Sequence, residues 1–476
     1  MAKPKKVKVG LAPTRRVIFS IEDSLKYKRL IEAQLREWDI EFVNIDSINK
    51  EGLLVQRTDV PKVLDLFRAE KVDCVFIPHV NFGTEDAVSR LARDLGKPTL
   101  LWGPRDESPL PDGSRLRDTQ CGLFATSKIL RRMSVPFSYI VNSRVDSEVF
   151  ERGVKNFVAA TAAAGAFRGA RIGQVSTRPT AFWTMIVNEG ELLERWGVEV
   201  VPVTLTEILL RAEDKIKNAK KDVAKEVAWI RKNFQVGKPT AKQIDRIAGL
   251  KLALTEWAEQ AGVSAIALQC WSALQAAFGV FPCFVHSLIT DAGVPVTCET
   301  DIHGALAAVM ARAAVGGTTP PFFADLTVRH PDEEDVELLW HCGPFPPSLA
   351  VEGKPRRVSG HYIGSHCGPF GVAEWEIKGG PITLARFDGD HGQYQMLLGH
   401  CEGTSGPFTR GTYVWVRFGN WPLWEERIIR GPYVHHVVGI HGHIAPALYE
   451  ACRFLGIQAD CVEPTEAEIQ AYLRGE

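Results

Sequence analysis

Short apolar runs alternate with stretches of helical spacing through the first three hundred positions. VKVGLA (7–12) reads as a buried strand, and EFVNI (41–45), VDCVFIPH (72–79) and PTLLWG (98–103) read as further strands. Between them, Leu25, Leu30, Ile31, Leu35 and Trp38 mark one side of a helix over 23–38, and further helices fall near 60–70 and 84–95. Strands alternating with helices predict a parallel sheet with crossover connections. A second such series begins near 150, with a helix at 154–167, RIGQV (171–175), a helix to Trp196, VEVVPVT (198–204) and SAIAL (264–268). The charged, mostly helical stretch 205–260 breaks once at QVGKPT, and its run EDKIKNAKKDVAKE reads as an exposed helix face. After about 300 the pattern changes. One helix, IHGALAAVMARAAV, is followed by short runs broken by Gly and Pro: PFFADLTV, ELLWHCG, PITLARF, QYQMLLG, TYVWVRF and HHVVGIHG. Such spacing predicts an antiparallel barrel or sandwich. Two helices, 445–457 and a short terminal one, close the chain. The expected domains are 1–152, 153–297 and 298–476.

Composition narrows this little. A chain of 476 residues exceeds one hydrophobic core. The net charge of −1 gives no electrostatic case for nucleic acid or an anionic membrane. No stretch approaches the ~20 apolar residues of a membrane span, and the basic start lacks a signal-peptide core. Ten scattered cysteines without a CxxC pair point to a reducing, cytoplasmic setting. GxGxxG, Walker and GxSxG motifs are all absent from the sequence. The polar loop 103–120 reads as a solvated segment or a site wall, and its charge favours solvation.

The chemistry concentrates in 264–306, where two apolar strands exit into polar groups: Gln269-Cys270-Trp271 and Cys298-Glu299-Thr300-Asp301. Ligand sites in open α/β sheets form at such carboxyl ends. Glu299 and Asp301 are two apart, so on an extended segment both carboxylates face one way and suit a hard divalent cation. Asp301 also stands directly before a helix, where Asp is a favoured cap. Of the thirteen histidines, only His79 precedes this region. His435, His436, His441 and His443 fall within nine residues; on a strand His435 and His436 take opposite faces. His341 ends an apolar run and offers a further imidazole. Tryptophans 271, 415, 421 and 424 would stack on a sugar or fill a core. A nucleophilic Cys270, Cys298 or Cys342 would need an activating imidazole or helix terminus.

These residues carry a resemblance. VGLAPTRR, RIGQVSTRP, ALQCW, PCFVHSLITDAGVPVTCETDIHGAL, WHCGPFPPSLA and YVWV…HHVVGIHGH together resemble the L-fucose/L-arabinose isomerase superfamily of ketol isomerases. The resemblance implies two Rossmann-like α/β sandwich domains followed by a C-terminal domain with an antiparallel β-barrel. It implies a homo-oligomer, a trimer or hexamer, and a manganese-type site. Asp301 matches the family's metal-binding acid and His436 its metal histidine; His341 resembles a further one. Glu299 stands where one branch has a glutamate. Gln269 and Trp415 match substrate-contacting positions, with Trp271, Gln275 and His443 as further candidate contacts. One departure stands out: the family's catalytic glutamate falls near Gln275 or Ala276, where no carboxylate exists. Ketol isomerisation through an enediol needs an acid and a base, so Glu299 or Asp301 is expected to serve. The leading expectation is a metal-dependent sugar isomerase. A metal-dependent lyase on a sugar-like substrate and a non-catalytic sugar-binding protein are the alternatives.

Overall fold

The computed structural model describes residues 6–360 and 369–476. The four early apolar runs form β1 (Lys8–Leu11), β2 (Glu41–Val43), β3 (Cys74–Pro78) and β4 (Thr99–Trp102), and the unread β5 (Ser138–Tyr139) completes a parallel sheet in the order β2-β1-β3-β4-β5. Every residue of β3 and β4 is buried, as continuous apolar runs in a covered parallel sheet should be. Helices Ile21–Glu37, Val60–Ala69, Glu85–Leu95 and Thr119–Arg132 accompany it. The last of these was not anticipated. The 103–120 loop before it is only partly solvated, because Arg117 is buried in an ion pair with Asp23 at 2.8 Å. This sheet belongs to a compact unit of residues 4–165, 446–456 and 466–476.

The second unit spans 166–445 and 457–465. Its first layer contains β6 (Arg171–Val175), β7 (Glu199–Val203), β9 (Ala265–Leu268) and β10 (Val296–Thr297), parallel in the order β10-β9-β6-β7; the short β8 (Gln235–Val236) joins a different sheet. Strands β11 (Phe322–Arg329), β12 (Val336–His341), β13 (Arg357–Gly360), β14 (Phe370–Glu376), β15 (Gly380–Asp390), β16 (Gln393–Thr404), β17 (Thr412–Arg417), β18 (His436–His441) and β19 (Gln458–Cys461) follow. Six of them close on themselves as β16-β15-β18-β11-β12-β17, each pair antiparallel, with β16–β17 sealing the ring. These six are the runs expected from the sequence, and they make a closed antiparallel barrel. The fold is therefore mixed α/β with two parallel sheets and a C-terminal barrel. β14 and β19, which pair parallel with barrel strands, went unread. Helix Ile302–Ala314 is buried along nearly its whole length. No helix among the described residues is long and apolar enough to cross a membrane.

Candidate active site

The acidic corner is a tight turn. β10 ends at Thr297, and Glu299 and Thr300 both take left-handed backbone conformations, with φ of 54° and 65°. Such positions cost of order 1–3 kcal/mol each for non-glycine residues. The expected extended geometry is thus corrected: the two carboxylates converge through a turn rather than by strand parity. Backbone bonds Thr300 N to Leu268 O (3.3 Å) and Asp301 N to Cys298 O (3.1 Å) hold it.

The turn places Glu299 and Asp301 on the two nitrogens of one imidazole. His436 Nδ1 donates to Asp301 Oδ2 at 2.9 Å, while its Nε2 lies 3.5 Å from Glu299 Oε2. Asp301 Oδ1 caps helix Ile302–Ala314 by accepting from Gly304 N at 2.8 Å, and Oδ2 also receives Arg386. The capping reading of Asp301 is therefore realised, and the same side chain holds His436. Its oxygens are fully engaged, and it reaches the cluster only through His436. Burial would raise the Asp301 pKa, but the adjoining Arg386 and His436 hold it well below the usual carboxylate range. Arg386 is itself buried and bonds Asp388 Oδ2 through Nε (2.9 Å) and a terminal nitrogen (2.7 Å); His303 Nδ1 lies 3.0 Å from Asp388 Oδ1.

β11 adds an acid that the sequence reading missed. Asp325 is in register with His436 across the β11–β18 pair, and its Oδ1 lies 3.4 Å from His436 Nε2. It is the one acid inside the run PFFADLTV, a signal visible in the sequence. His341, at the end of β12, places Nε2 3.8 Å from both Glu299 Oε2 and Asp325 Oδ1. Those three atoms are buried and have no hydrogen-bond partner. The two imidazole Nε2 atoms thus each lie 3.4–3.8 Å from both carboxylate oxygens. Ligands at ~2.1 Å from a tetrahedral ion would sit ~3.4 Å apart; Glu299, His341 and His436 form one metal-type group, whereas Asp325 groups with His435 and His436.

The two imidazoles are not equivalent. His436 gives its Nδ1 proton to Asp301, which leaves the Nε2 lone pair facing the cluster. His341 Nδ1 accepts from Cys342 N at 2.8 Å, so its proton sits on Nε2. Burial opposes charge on His341, but Asp325 and Glu299 outweigh it and push its pKa well above the ordinary value. Burial would likewise raise Glu299, yet His341 and His436 bring it down to about 2. Burial dominates at Asp325 and raises its pKa, despite both histidines.

The remaining candidates are placed unevenly. Gln269 accepts from Ser176 Oγ at 2.7 Å at the carboxyl edge of the second sheet. Trp271 and Gln275 line a crevice with Cys270, Phe281, Cys283, His341 and Cys342. Gln275 donates to the Cys270 carbonyl, and its Oε1 is buried without a partner. Trp415 is buried in an apolar cluster with Val336, Leu338 and Tyr413, its indole N–H donating to Pro407 O at 2.9 Å. His443 stacks on His400 at 4.2 Å and lies 3.1 Å from Glu402. No described contact brings Trp415 or His443 to the four-atom cluster. Cys270 donates to Glu299 Oε1 at 3.2 Å, and burial raises its pKa and that of Cys298, the reverse of an activated nucleophile.

Known sugar isomerases are similar to this chain. Residues 10–168 match the family model described as Fucose/sulfoquinovose isomerase, N-terminal domain. The sulfoquinovose isomerase of Priestia aryabhattai is 25% identical over 86% of this chain and 90% of its own length. That of Alkalicoccus urumqiensis is 26% identical over 68% and 71%. A periplasmic solute binding protein from Actinobacillus succinogenes 130z, solved with bound D-allose, covers 56% of this chain and 79% of its own at 12% identity, with a TM-score of 0.16, a likeness too slight to bear on the fold. Over residues 10–168 the chain is thus similar to the fucose/sulfoquinovose isomerase family, and over most of its length to proteins named sulfoquinovose isomerase.

Proposed function

We propose that the protein is an aldose–ketose isomerase that acts on an open-chain sugar through an enediol at a divalent metal ion, manganese being the leading candidate. The observation that carries this reading is the cluster of Glu299 Oε2, Asp325 Oδ1, His341 Nε2 and His436 Nε2, all within 3.4–3.8 Å of two others. The relatives named sulfoquinovose isomerase support the reaction class. Glu299 and His436 are the residues that would hold the ion, since each turns a free lone pair inward. Asp301 would keep His436 in the ligating tautomer. When bound, a divalent ion supplies polarisation of the two sugar oxygens.

The protein's own groups then move the protons. Asp325, raised by burial, is a better base than Glu299, which stays ionised down to about pH 2. It takes the C2 proton, leaving an enediolate whose O1 charge accepts a hydrogen bond from His341 Nε2–H. Passage of the O2 proton to O1 and return of the proton from Asp325 to C1 give the ketose. Asp325 thus takes the part that the amide of Gln275 cannot play. Gln269 and Trp271 would orient the polyol from the sheet edge. The working form in this reading is a cytoplasmic homo-oligomer, a trimer or hexamer.

The test is deuterium incorporation at C2, followed by NMR in D₂O with a panel of aldoses and manganese. Exchange with ketose formation and no cleavage is expected, and Asp325→Asn should lower kcat by about 10²–10⁴-fold with bound metal retained. Metal-loaded protein that exchanges no sugar proton would overturn the reading.

A further inference from the structure

Glu299 has two faces. Its Oε2 turns to His341 and His436, while its Oε1 accepts from the Cys270 thiol at 3.2 Å. The sulfur side follows from strand pairing. β9 and β10 are neighbouring parallel strands with Thr297 opposite Ala267, so the chain leaves their carboxyl ends side by side, with Cys270 on one exit and Cys298 on the other. The left-handed turn at Glu299 then brings its carboxylate back to both sulfurs. Cys270 Sγ, Cys298 Sγ and a Glu299 oxygen all lie within 4.8 Å of one another.

All three side chains are buried, and the two thiols are hydrogen-bonded to each other. Both cysteines are free. Cys298 Sγ also lies 3.4 Å from Nδ1 of the buried His286, whose other ring nitrogen has no hydrogen-bond partner among the described residues. Soft sulfur ligands select zinc-like ions, whereas oxygen ligands suit manganese and magnesium. Around a tetrahedral zinc, two sulfurs at ~2.3 Å would stand ~3.8 Å apart, and a sulfur and an oxygen ~3.5 Å apart. Small side-chain shifts bring the three atoms to those spacings. Cys270 also lines a crevice with the half-buried Trp271 and Gln275, the side from which an ion and a water as fourth ligand would enter.

We propose that Cys270, Cys298 and Glu299 form a second metal site, for a thiophilic divalent cation such as zinc or cadmium, that shares Glu299 with the imidazole cluster. As the ion enters, both thiols release their protons to solvent and two metal–thiolate bonds form, with no electron transferred. Because one carboxylate serves both sides, a cation held by the sulfurs competes for it with an ion at His436, and so weakens the binding of manganese. That consequence rests on the metal reading of the proposed function; the sulfur site does not.

The test is titration of the full chain with cadmium chloride, with a phosphine reductant present, in a Cys121→Ser background that removes the exposed thiol. The readout is the ultraviolet charge-transfer band of thiolate-bound cadmium, which imidazole and carboxylate ligands do not give. The band is expected to saturate at one equivalent and to be lost in Cys270→Ser and in Cys298→Ser. Cys283→Ser, which alters the neighbouring Cys283–Cys342 contact, should keep it. Cys298→Ala takes the place of the serine variant if thermal melts show that one unfolded. A missing band, or a band that survives replacement of both Cys270 and Cys298, overturns the site. A second titration follows manganese by electron paramagnetic resonance. One equivalent of cadmium should weaken manganese binding by about 5- to 150-fold, and should not do so in the Cys270→Ser/Cys298→Ser variant. Equal weakening in both proteins, or none in either, overturns the sharing of Glu299. A cadmium band in protein that never binds manganese upholds the sulfur site and sinks only the metal-dependent isomerase.

Discussion

A carboxylate inside a barrel wall is costly unless it is fully paired, and Glu337 on β12 is not. It is 2% exposed, its Oε1 has no hydrogen-bond partner, and Arg329 Nε approaches only to 3.8 Å. Burial raises its pKa to about 7 from 4.5, Glu425 adds to the rise, and Arg329 opposes it. Between those two values the folded state holds a proton that the unfolded chain has released. Stability from this group is therefore full below about pH 4.5 and falls as pH rises to about 7. Glu337→Gln should flatten that part of the curve and raise Tm at pH 8 relative to wild type. Thermal melts at closely spaced pH values check this, and parallel curves for the two proteins would contradict it. The same scale explains what the sequence made legible at the site. Glu299, Asp301 and His436 were found because their residue types and neighbours are unusual. Asp325 and Arg386 were not, although each is a charge set in an apolar strand run. The tautomers of His341 and His436 depend on one backbone N–H and one remote carboxylate, and no local pattern encodes either.

Elements set how closely those side chains can meet. The barrel strands were readable because short apolar runs between Gly and Pro mark them. The turn at Glu299 and Thr300 was not, since nothing in CETD announces two successive left-handed residues. Register then did the rest: once β11 and β18 pair, Asp325 falls opposite His436 and Phe322 falls opposite Gly439. That second pairing needs a glycine. A Cβ at 439 would fall on the Phe322 ring, which is itself packed on Phe345 with centroids 4.8 Å apart. The neighbouring Phe323 touches His436 and His341, at 4.8 and 5.8 Å between centroids. Gly439→Ala should cost about 1–3 kcal/mol through overpacking, seen as a lower midpoint in urea with an unchanged slope. A midpoint equal to wild type would show that the Phe322 ring yields without penalty.

Across the whole molecule, chain order and spatial order differ. Division of the sequence at 152 and 297 follows the order of patterns, whereas the compact unit built by residues 4–165 also takes in 446–456 and 466–476. Local patterning announces that 445–457 and the terminal segment are helices, but not which core they join. That is settled by long-range pairs: Ser138 with the buried Glu450, Phe157 edge-on to Phe454, and Arg152 over the Tyr472 ring at 4.5 Å. The terminal helix Glu466–Arg474 contributes Ile469, which is completely buried, and Glu466, which accepts from Tyr449 at 2.7 Å. Burying one such aliphatic side chain is worth about 1.5–3 kcal/mol, so removal of this helix should loosen the unit it completes. A chain stopped after Thr465 is expected to show faster amide exchange by mass spectrometry in 148–165 and 446–456 than the full chain. Ile469→Ala should show the same pattern more weakly, because the helix remains while its anchor is shortened. Unaltered exchange in both segments for both variants would mean that the terminal helix adds nothing to this core, and that the fold of residues 4–165 is held by its own sheet and helices.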